Sequence, residues 1–287
     1  MQYLQLIRVH QWIKNGFVFL PIFFAGELLN RDLLIKSIIA FFSFSFIASS
    51  IYIINDYVDI EKDRKHPEKK NRPLANGTIS KKEAVIVFFI LFFLSYFFCY
   101  LLKSTSTVII ITIYFLMNLA YSFKLKHVAI IDITIIAVGF LLRVFAGGYS
   151  TGLFISIWAI LLTFFLALIM GIGKRRGELL NAQLTGETRK SLDGYNLQFT
   201  DISMTVVSTC SIVCYIMYTL DPLVKKNLHE GIVYTSFFVI VGILRYLQLS
   251  FVYNKTESPT KIVYKDIFIQ IDIILWVLVI FILKYLA

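Results

Sequence analysis

The sequence is poor in the residues that most often act as nucleophiles, bases and soft metal ligands. It has three cysteines and four histidines among 287 residues. The cysteines lie in long apolar runs, where we interpret them as packing residues rather than ligands or disulfide partners; they are Cys99, Cys210 and Cys214. The histidines are scattered, and no Ser-His-Asp or Cys-His pairing is evident. A Gly-x-x-x-x-Gly-Lys-Ser/Thr loop is missing as well, which argues against an ATPase.

Charge is also scarce, and long apolar runs are abundant. Charged residues make up 16% of the chain and hydrophobic residues 58%, which is more apolar than soluble domains are. Several runs reach the ~20 residues that a helix needs to cross a bilayer. We therefore predict an all-α, polytopic membrane bundle with nine spans, at about 16–30, 33–54, 83–102, 106–122, 129–149, 154–173, 202–220, 231–252 and 266–286.

The N-terminal segment lacks the short apolar core and the cleavage site of a signal peptide. We predict that residues 1–15 form an interfacial amphipathic helix with Trp12 at headgroup depth.

The basic residues are distributed unevenly across the predicted membrane. With alternating spans, 20 Lys and Arg lie on the side of the N-terminus and six on the other. The positive-inside rule then places the N-terminus and the 55–82 and 174–201 loops in the cytoplasm. We predict one membrane domain over 1–287, in the inner (plasma) membrane, with these two loops as cytoplasmic catalytic loops. The net charge of +10 thus indicates phosphate groups and membrane lipids as partners, and not nucleic acid.

An acidic row follows the second predicted span. Asn55, Asp59 and Asp63 recur every four positions, so in a continuing helix they lie on one face over about two turns. Carboxylates in such a row repel one another unless a hard divalent cation lies among them. Mg²⁺ accepts one or two carboxylates together with phosphate oxygens of a substrate. The row therefore predicts a Mg²⁺ site, and the basic residues after it would face a phosphorylated ligand.

Three further features place polar residues beside or within apolar runs. Asp132 lies near the start of the fifth predicted span, where a carboxylate usually faces the bundle interior, and Lys126 is a candidate partner. The run Gly173-Lys174-Arg175-Arg176 joins a flexible glycine to three cations, and Arg offers bidentate phosphate geometry. Arg143 lies nearer the outer end of a span, where snorkelling to the interface is the alternative to a buried role.

Together these motifs resemble the UbiA prenyltransferase superfamily, and within it the decaprenyl-phosphate phosphoribosyltransferase branch. The matching segments cover about residues 8–195. They are Gln11-Trp12-Ile13-Lys14-Asn15, Asn55-Asp56-x-x-Asp59-x-x-x-Asp63, His66-Pro67-x-Lys69-x-x-Arg72-Pro73-x-x-x-Gly77, Leu125-Lys126-His127 through Asp132, Gly139-Phe140-Leu141-x-Arg143-x-x-Ala146-Gly147-Gly148, Gly173-Lys174-Arg175 and Arg189-Lys190-Ser191-Leu192-x-x-Tyr195. Typical aromatic prenyltransferases of the superfamily carry a second Asp-x-x-x-Asp motif after the sixth helix. Here cations replace it, which suits a donor with an additional phosphate.

The resemblance implies a transferase that moves 5-phosphoribose from phosphoribosyl diphosphate to a polyprenyl phosphate, with Mg²⁺ as cofactor, in the synthesis of cell-envelope glycans. In the mechanism that we derive from it, Asn55, Asp59 and Asp63 hold Mg²⁺, and Asp56 supports them. Four cations neutralise the leaving diphosphate: Lys14, Lys69, Arg72 and Lys126. Lys174 and Arg175 bind the 5-phosphate or the acceptor phosphate. Further substrate contacts are expected from Asn15, Tyr121, Asp132, Arg189 and Tyr195.

Two other functions stay open at this point. A UbiA-type prenyltransferase would attach a polyprenyl chain to an aromatic or other small acceptor with the same fold. A transporter or lipid-binding membrane protein would place its charges at mid-membrane depth along a path, whereas most charges here lie in the predicted cytoplasmic loops. The sequence also leaves open the chain length of the acceptor and whether the protein forms a homo-oligomer.

Overall fold

Helices are the only regular secondary structure in the part of the chain that the structure describes. This computed structural model describes residues 2–66, 69–185, 190–255 and 265–286. The α-helices are α1 (Gln2–Leu6), α2 (Leu20–Phe24), α3 (Arg31–Val58), α4 (Ile60–Lys65), α5 (Lys81–Leu102), α6 (Thr105–Phe123), α7 (Ile131–Thr151), α8 (Ile157–Thr185), α9 (Leu197–Leu220), α10 (Pro222–Asn227), α11 (Ser236–Phe251) and α12 (Ile267–Tyr285). Short 3₁₀ helices cover Val9–Phe19, Lys69–Asn71, Leu125–His127, Lys190–Gly194 and Glu230–Thr235. The predicted all-α class is confirmed.

Eight of these helical segments are long and apolar enough to cross a membrane. They are α3, α5, α6, α7, residues 157–182 of α8, α9, residues 230–251 and α12. The protein is therefore a multi-pass membrane protein, close to the prediction of nine spans. The difference lies at the first predicted span, 16–30, which the structure divides between a 3₁₀ helix and the five-residue α2. Pro21 lies in the first turn of α2, where its missing N–H is tolerated, and Gly26, with a φ of 70°, lies just beyond the end of α2.

The N-terminal segment is not one continuous helix. α1 ends before Arg8, whose φ of 52° lies in the left-handed region, and a 3₁₀ helix follows. The Trp12 indole N–H donates to the Ser49 hydroxyl (2.9 Å), and that hydroxyl donates to the Ile7 carbonyl (2.7 Å). Residues 7–12 are therefore held against α3. The interfacial location of 1–15 stays a prediction.

Side-chain caps explain where several helices begin. Ser80 accepts a hydrogen bond from the Glu83 N–H, and Glu83 accepts one from the Ser80 N–H, so a capping box starts α5. Asn196 and Asp266 accept from the backbone N–H three residues ahead and start α9 and α12 in the same way. These caps satisfy N–H groups that the first helical turn leaves without partners.

The chain divides into two compact units. The first contains residues 1–23, 27–123 and 142–153. At its centre α3 and α5 pack closely, because Ser43 and Ser95 are small and each hydroxyl donates to the other residue's carbonyl, at 2.9 and 2.8 Å. The second unit contains residues 24–26, 124–141 and 154–287. Its core includes Ile133, Ile172 and Met204, from α7, α8 and α9. The prediction of a single domain over 1–287 stays a prediction.

Candidate active site

The acidic row lies where α3 ends. α3 ends at Val58 and α4 begins at Ile60, yet the four-residue hydrogen-bond spacing continues through the junction. The Asp59 N–H donates to the Asn55 carbonyl (3.0 Å), and the Asp63 N–H donates to the Asp59 carbonyl (2.8 Å). The backbone therefore keeps the spacing on which the predicted metal site depends. Asp63 is buried, whereas Asn55 and Asp59 are half-buried.

Two arginines neutralise the buried carboxylates of this segment. Arg72 Nη1 lies 3.0 Å from Asp56 Oδ1 and 2.6 Å from Asp63 Oδ2. Arg8 donates to the same oxygen of Asp56, and its guanidinium lies 4.8 Å from the centroid of the Tyr52 ring. Asp56 and Asp63 are only 2% and 3% exposed, so solvent screens these ion pairs less than pairs at a surface. The structure thus joins Arg72, a predicted site residue, to two of the predicted acids.

The donor types in this segment suit a hard divalent cation. Two carboxylates approach one guanidinium nitrogen, and Asn55 and Asp59 add oxygen-bearing side chains nearby in the chain. Among the residues that the structure describes, no group of three or more His, Cys, Asp or Glu side chains is arranged to hold a metal ion. The donor types are nevertheless those that Mg²⁺ prefers, and a cation bound to Asp63 would compete with Arg72 for the Asp63 carboxylate.

Asn15 and Arg143 form a buried polar link within the first unit. Arg143 Nε donates to Asn15 Oδ1 (2.8 Å), and Arg143 Nη2 donates to the Tyr114 hydroxyl (3.0 Å). The guanidinium also lies 4.8 Å from the Phe44 ring centroid, and Asn15 Nδ2 donates to the Ser45 hydroxyl (2.9 Å). Arg143 is 5% exposed, which decides between the two alternatives: it is buried and does not snorkel. A direct contact of Asn15 with substrate stays a prediction.

Arg143→Met is expected to destabilise the protein. The variant removes the Arg143 N–H that the buried side-chain oxygen Oδ1 of Asn15 accepts. Loss of this hydrogen bond is expected to lower the free energy of unfolding by about 1–3 kcal/mol. Chemical unfolding in detergent micelles measures the change. Arg31→Met, at an exposed position of α3, is the matched control and should leave the unfolding free energy nearly unchanged. Equal stability of both variants would contradict the role assigned to the Arg143 link.

A second polar cluster lies within the second unit, and Arg175 is its centre. Arg175 Nε lies 3.4 Å from Asp132 Oδ2, Arg175 Nη1 donates to Glu178, and the Tyr195 hydroxyl donates to Asp132 Oδ1 (2.8 Å). Arg175 and Asp132 are both 0% exposed. The cation that the structure places beside Asp132 is therefore Arg175. Arg175 Nη2 and Asp132 Oδ2 have no hydrogen-bond partner among the described residues, so the pair retains capacity for a further polar ligand.

The other predicted site residues differ in exposure. Lys174 is exposed, with Nζ 3.9 Å from Glu178 Oε1, whereas Lys126 is buried in the 3₁₀ helix after α6. The half-buried residues are Lys14, Lys69 and Tyr121. Arg189 lies outside the described residues, so the structure says nothing of its predicted contact.

Two charged residues of these clusters were not predicted from the sequence. Arg8 is one of the basic residues near the N-terminus, and no sequence spacing relates it to Asp56, 48 positions away. Glu178 has a usable signal, because it follows Arg175 by three positions and would share its helix face. The sequence alone thus indicated Asp56 and Asp63 and their partner Arg72, but not Arg8, the second partner of Asp56.

Comparison with known proteins agrees with these observations. The model of the UbiA prenyltransferase family matches residues 17–175. The decaprenyl-phosphate phosphoribosyltransferase of Mycolicibacterium smegmatis is 33% identical over 286 residues, which cover 96% of this chain and 89% of that protein. The protein of the same name from Corynebacterium glutamicum is 32% identical over 280 residues, with coverage of 96% and 84%.

A solved structure supports the fold. The chain is similar to a UbiA homologue from Archaeoglobus fulgidus bound to DMAPP and Mg²⁺, with a TM-score of 0.74, 19% identity and coverage of 98% of this chain and 99% of that one. At that identity the likeness concerns the arrangement of helices, and it leaves the substrates of this chain to be argued from its own residues.

Proposed function

This chain belongs to the UbiA prenyltransferase family, and from that premise we propose that it transfers 5-phosphoribose from phosphoribosyl diphosphate to a polyprenyl phosphate. The observation that carries the proposal is the match to two decaprenyl-phosphate phosphoribosyltransferases over 96% of the chain. Family membership makes the chain a transferase. The donor, the acceptor and the use of Mg²⁺ are the proposed parts.

The acidic segment would act on the diphosphate of the donor. As the bond from ribose C1 to the diphosphate oxygen breaks, the electron pair leaves with diphosphate and negative charge grows there. Mg²⁺ bound to Asn55, Asp59 and Asp63 would supply Lewis-acid stabilisation of that charge. Arg72, whose Nη1 lies at Asp56 and Asp63, would add positive charge beside the diphosphate. Lys14, Lys69 and Lys126 would add positive charge for the same purpose.

The acceptor needs no general base. A polyprenyl phosphate oxygen is already anionic, so its bond to ribose C1 forms without a proton being removed. This agrees with the scattered histidines. Lys174, exposed at the end of the apolar part of α8, would bind a phosphate of the donor or of the acceptor. Arg175 would bind a phosphate only with its spare Nη2 donor or after leaving Asp132.

The proposed location follows from the charge distribution. In the predicted topology most of the Lys and Arg lie on the side of the acidic row, so the active site would face the cytoplasm from the inner membrane. Phosphoribosyl diphosphate is a water-soluble, highly charged donor, and a cytoplasmic site would give it access.

A labelled-product assay tests the proposal. Membranes containing the protein, supplied with radiolabelled phosphoribosyl diphosphate, polyprenyl phosphate and Mg²⁺, are expected to form a labelled lipid. Excess EDTA should abolish this product, and added Mg²⁺ should restore it, because diphosphate is a poor leaving group without charge neutralisation.

Two outcomes separate the parts of this proposal. Consumption of a prenyl diphosphate with an aromatic acceptor, and no labelled lipid, would support the prenyltransferase alternative. Undiminished formation of labelled lipid in excess EDTA would support phosphoribosyl transfer but contradict the proposed Mg²⁺ site.

A further inference from the structure

Ile130, just before α7, has a strained backbone. Its φ is 68°, in the left-handed region that β-branched residues rarely adopt because Cβ then crowds the following carbonyl. Its side chain is 55% exposed, so burial of the side chain does not account for the conformation. A strained residue of this kind persists only where neighbouring contacts impose it.

The Tyr195 hydroxyl supplies such a contact. It accepts a hydrogen bond from the Ile130 N–H (2.7 Å) and donates one to Asp132 Oδ1 (2.8 Å). Burial raises the pKa of the Tyr195 hydroxyl well above its ordinary value, so the group keeps the proton that it donates. One oxygen atom therefore joins the backbone before α7 to the first turn of α7.

Gly194, next to Tyr195, provides a second, independent contact with the turn of residues 128–130, which joins the 3₁₀ helix Leu125–His127 to α7. A Cβ atom built on Gly194 would lie 2.4 Å from the Cβ of Ala129, a distance that no real pair of Cβ atoms tolerates. The absence of a side chain at Gly194 therefore lets this backbone approach Ala129 closely. Gly194 and Tyr195 thus contact two consecutive residues of the turn, Ala129 and Ile130.

The residues on either side of this turn are ones that the proposed function requires. Lys126 lies four positions before Ile130 and is buried in the 3₁₀ helix Leu125–His127. Asp132 lies two positions after Ile130 and pairs with Arg175. A change in the backbone at Ile130 would move both neighbours.

We infer that Tyr195 is a positioning residue, which holds the Ile130 turn in its strained conformation and thereby places Lys126 and Asp132. This assignment replaces a direct substrate contact of Tyr195, and its effect on catalysis rests on the proposed phosphoribosyl transfer. The Tyr195 hydroxyl acts by holding the Ile130 backbone at its left-handed φ. A substitution at residue 130 that adopts this φ without strain should therefore reduce the effect of losing the hydroxyl.

The test is a double-mutant cycle with Tyr195→Phe and Ile130→Gly. Tyr195→Phe is expected to lower kcat roughly 10- to 100-fold, with a small change in KM, because misplaced catalytic groups reduce the rate rather than substrate binding. Ile130→Gly alone should stay near the wild-type rate, because glycine adopts this backbone without strain. In the double variant Ile130→Gly should recover most of the lost kcat.

Ile130→Val is the matched control, because valine keeps the β-branch and hence the strain. Combined with Tyr195→Phe it should recover no activity. A raised KM for one substrate in Tyr195→Phe, with no recovery by Ile130→Gly, would overturn the inference and assign Tyr195 to substrate binding.

Thermal unfolding of the same variants in detergent tests the positioning role of Tyr195 without depending on the proposed reaction. Tyr195→Phe should lower Tm, and Ile130→Gly, but not Ile130→Val, should restore it. If the wild-type protein forms no labelled lipid while the Tm values show this coupling, the proposed function fails and the positioning role of Tyr195 holds. Tm values that add independently would overturn the positioning role, whatever the activity.

Discussion

Asp63→Asn is expected to lower the rate of phosphoribosyl transfer at least about 100-fold, the loss typical of removing one group that stabilises developing charge. The amide keeps the size of the side chain and removes the negative charge that the proposed Mg²⁺ site requires. Arg72 keeps Asp56 as a partner, so the variant should stay folded. The measurement is kcat with both substrates saturating and Mg²⁺ at a fixed concentration.

Glu61→Gln is the matched control for this prediction. Glu61 belongs to the same short helix, α4, but its side chain is 78% exposed and pairs with Arg64. Its loss of charge should leave kcat within a few-fold of wild type. Equal rates for the two variants would show that the acidic row does not act on the leaving group, and the metal-site proposal would then fail.

Arg175→Met should cause the largest loss of stability. The variant leaves Asp132, which is 0% exposed, without its buried cation, and breaking such a pair costs about 3–5 kcal/mol. The double variant Arg175→Met with Asp132→Asn removes the uncompensated charge and should recover part of this loss. Chemical unfolding in detergent micelles measures both changes, and an unchanged unfolding free energy in Arg175→Met would contradict the structural role of the pair.

Lys174→Ala, at the residue next to Arg175, should affect substrate binding rather than stability. Lys174 is 46% exposed and only 3.9 Å from Glu178, and exposed pairs of this kind contribute at most about 1 kcal/mol. Stability should therefore hardly change. A phosphate contact made equally in the ground and transition states would instead raise the KM of one substrate, with a smaller loss of kcat. The substrate affected identifies the phosphate that Lys174 binds. If neither parameter changes, Lys174 serves only as a topology signal.

Much of the fold was predictable because its determinants are local. Runs of apolar residues of bilayer length predicted α3, α5 to α9, the 230–251 segment that contains α11, and α12, since a membrane requires long helices whatever their neighbours are. The first predicted span, 16–30, is helical but irregular, because it is divided between a 3₁₀ helix and the short α2, and Gly26 has a left-handed backbone that hydropathy averages do not reveal. The N-terminal 3₁₀ helix depends on contacts with Ser45 and Ser49 of α3, and nothing in its own periodicity indicates them.

The sequence by itself determined the multi-pass architecture, the charge asymmetry and the four-residue spacing of the acidic row, since each depends on residues close together in the chain. Only the tertiary structure decided which cations meet which acids. Arg8 reaches Asp56 across 48 positions, and Arg175 reaches Asp132 across 43. Tertiary contacts likewise account for the left-handed backbone at Ile130, because the hydroxyl that holds it comes from Tyr195, 65 positions later. Sequence spacing cannot specify such contacts, because many folds of equal hydropathy would place the same charges in different pairs.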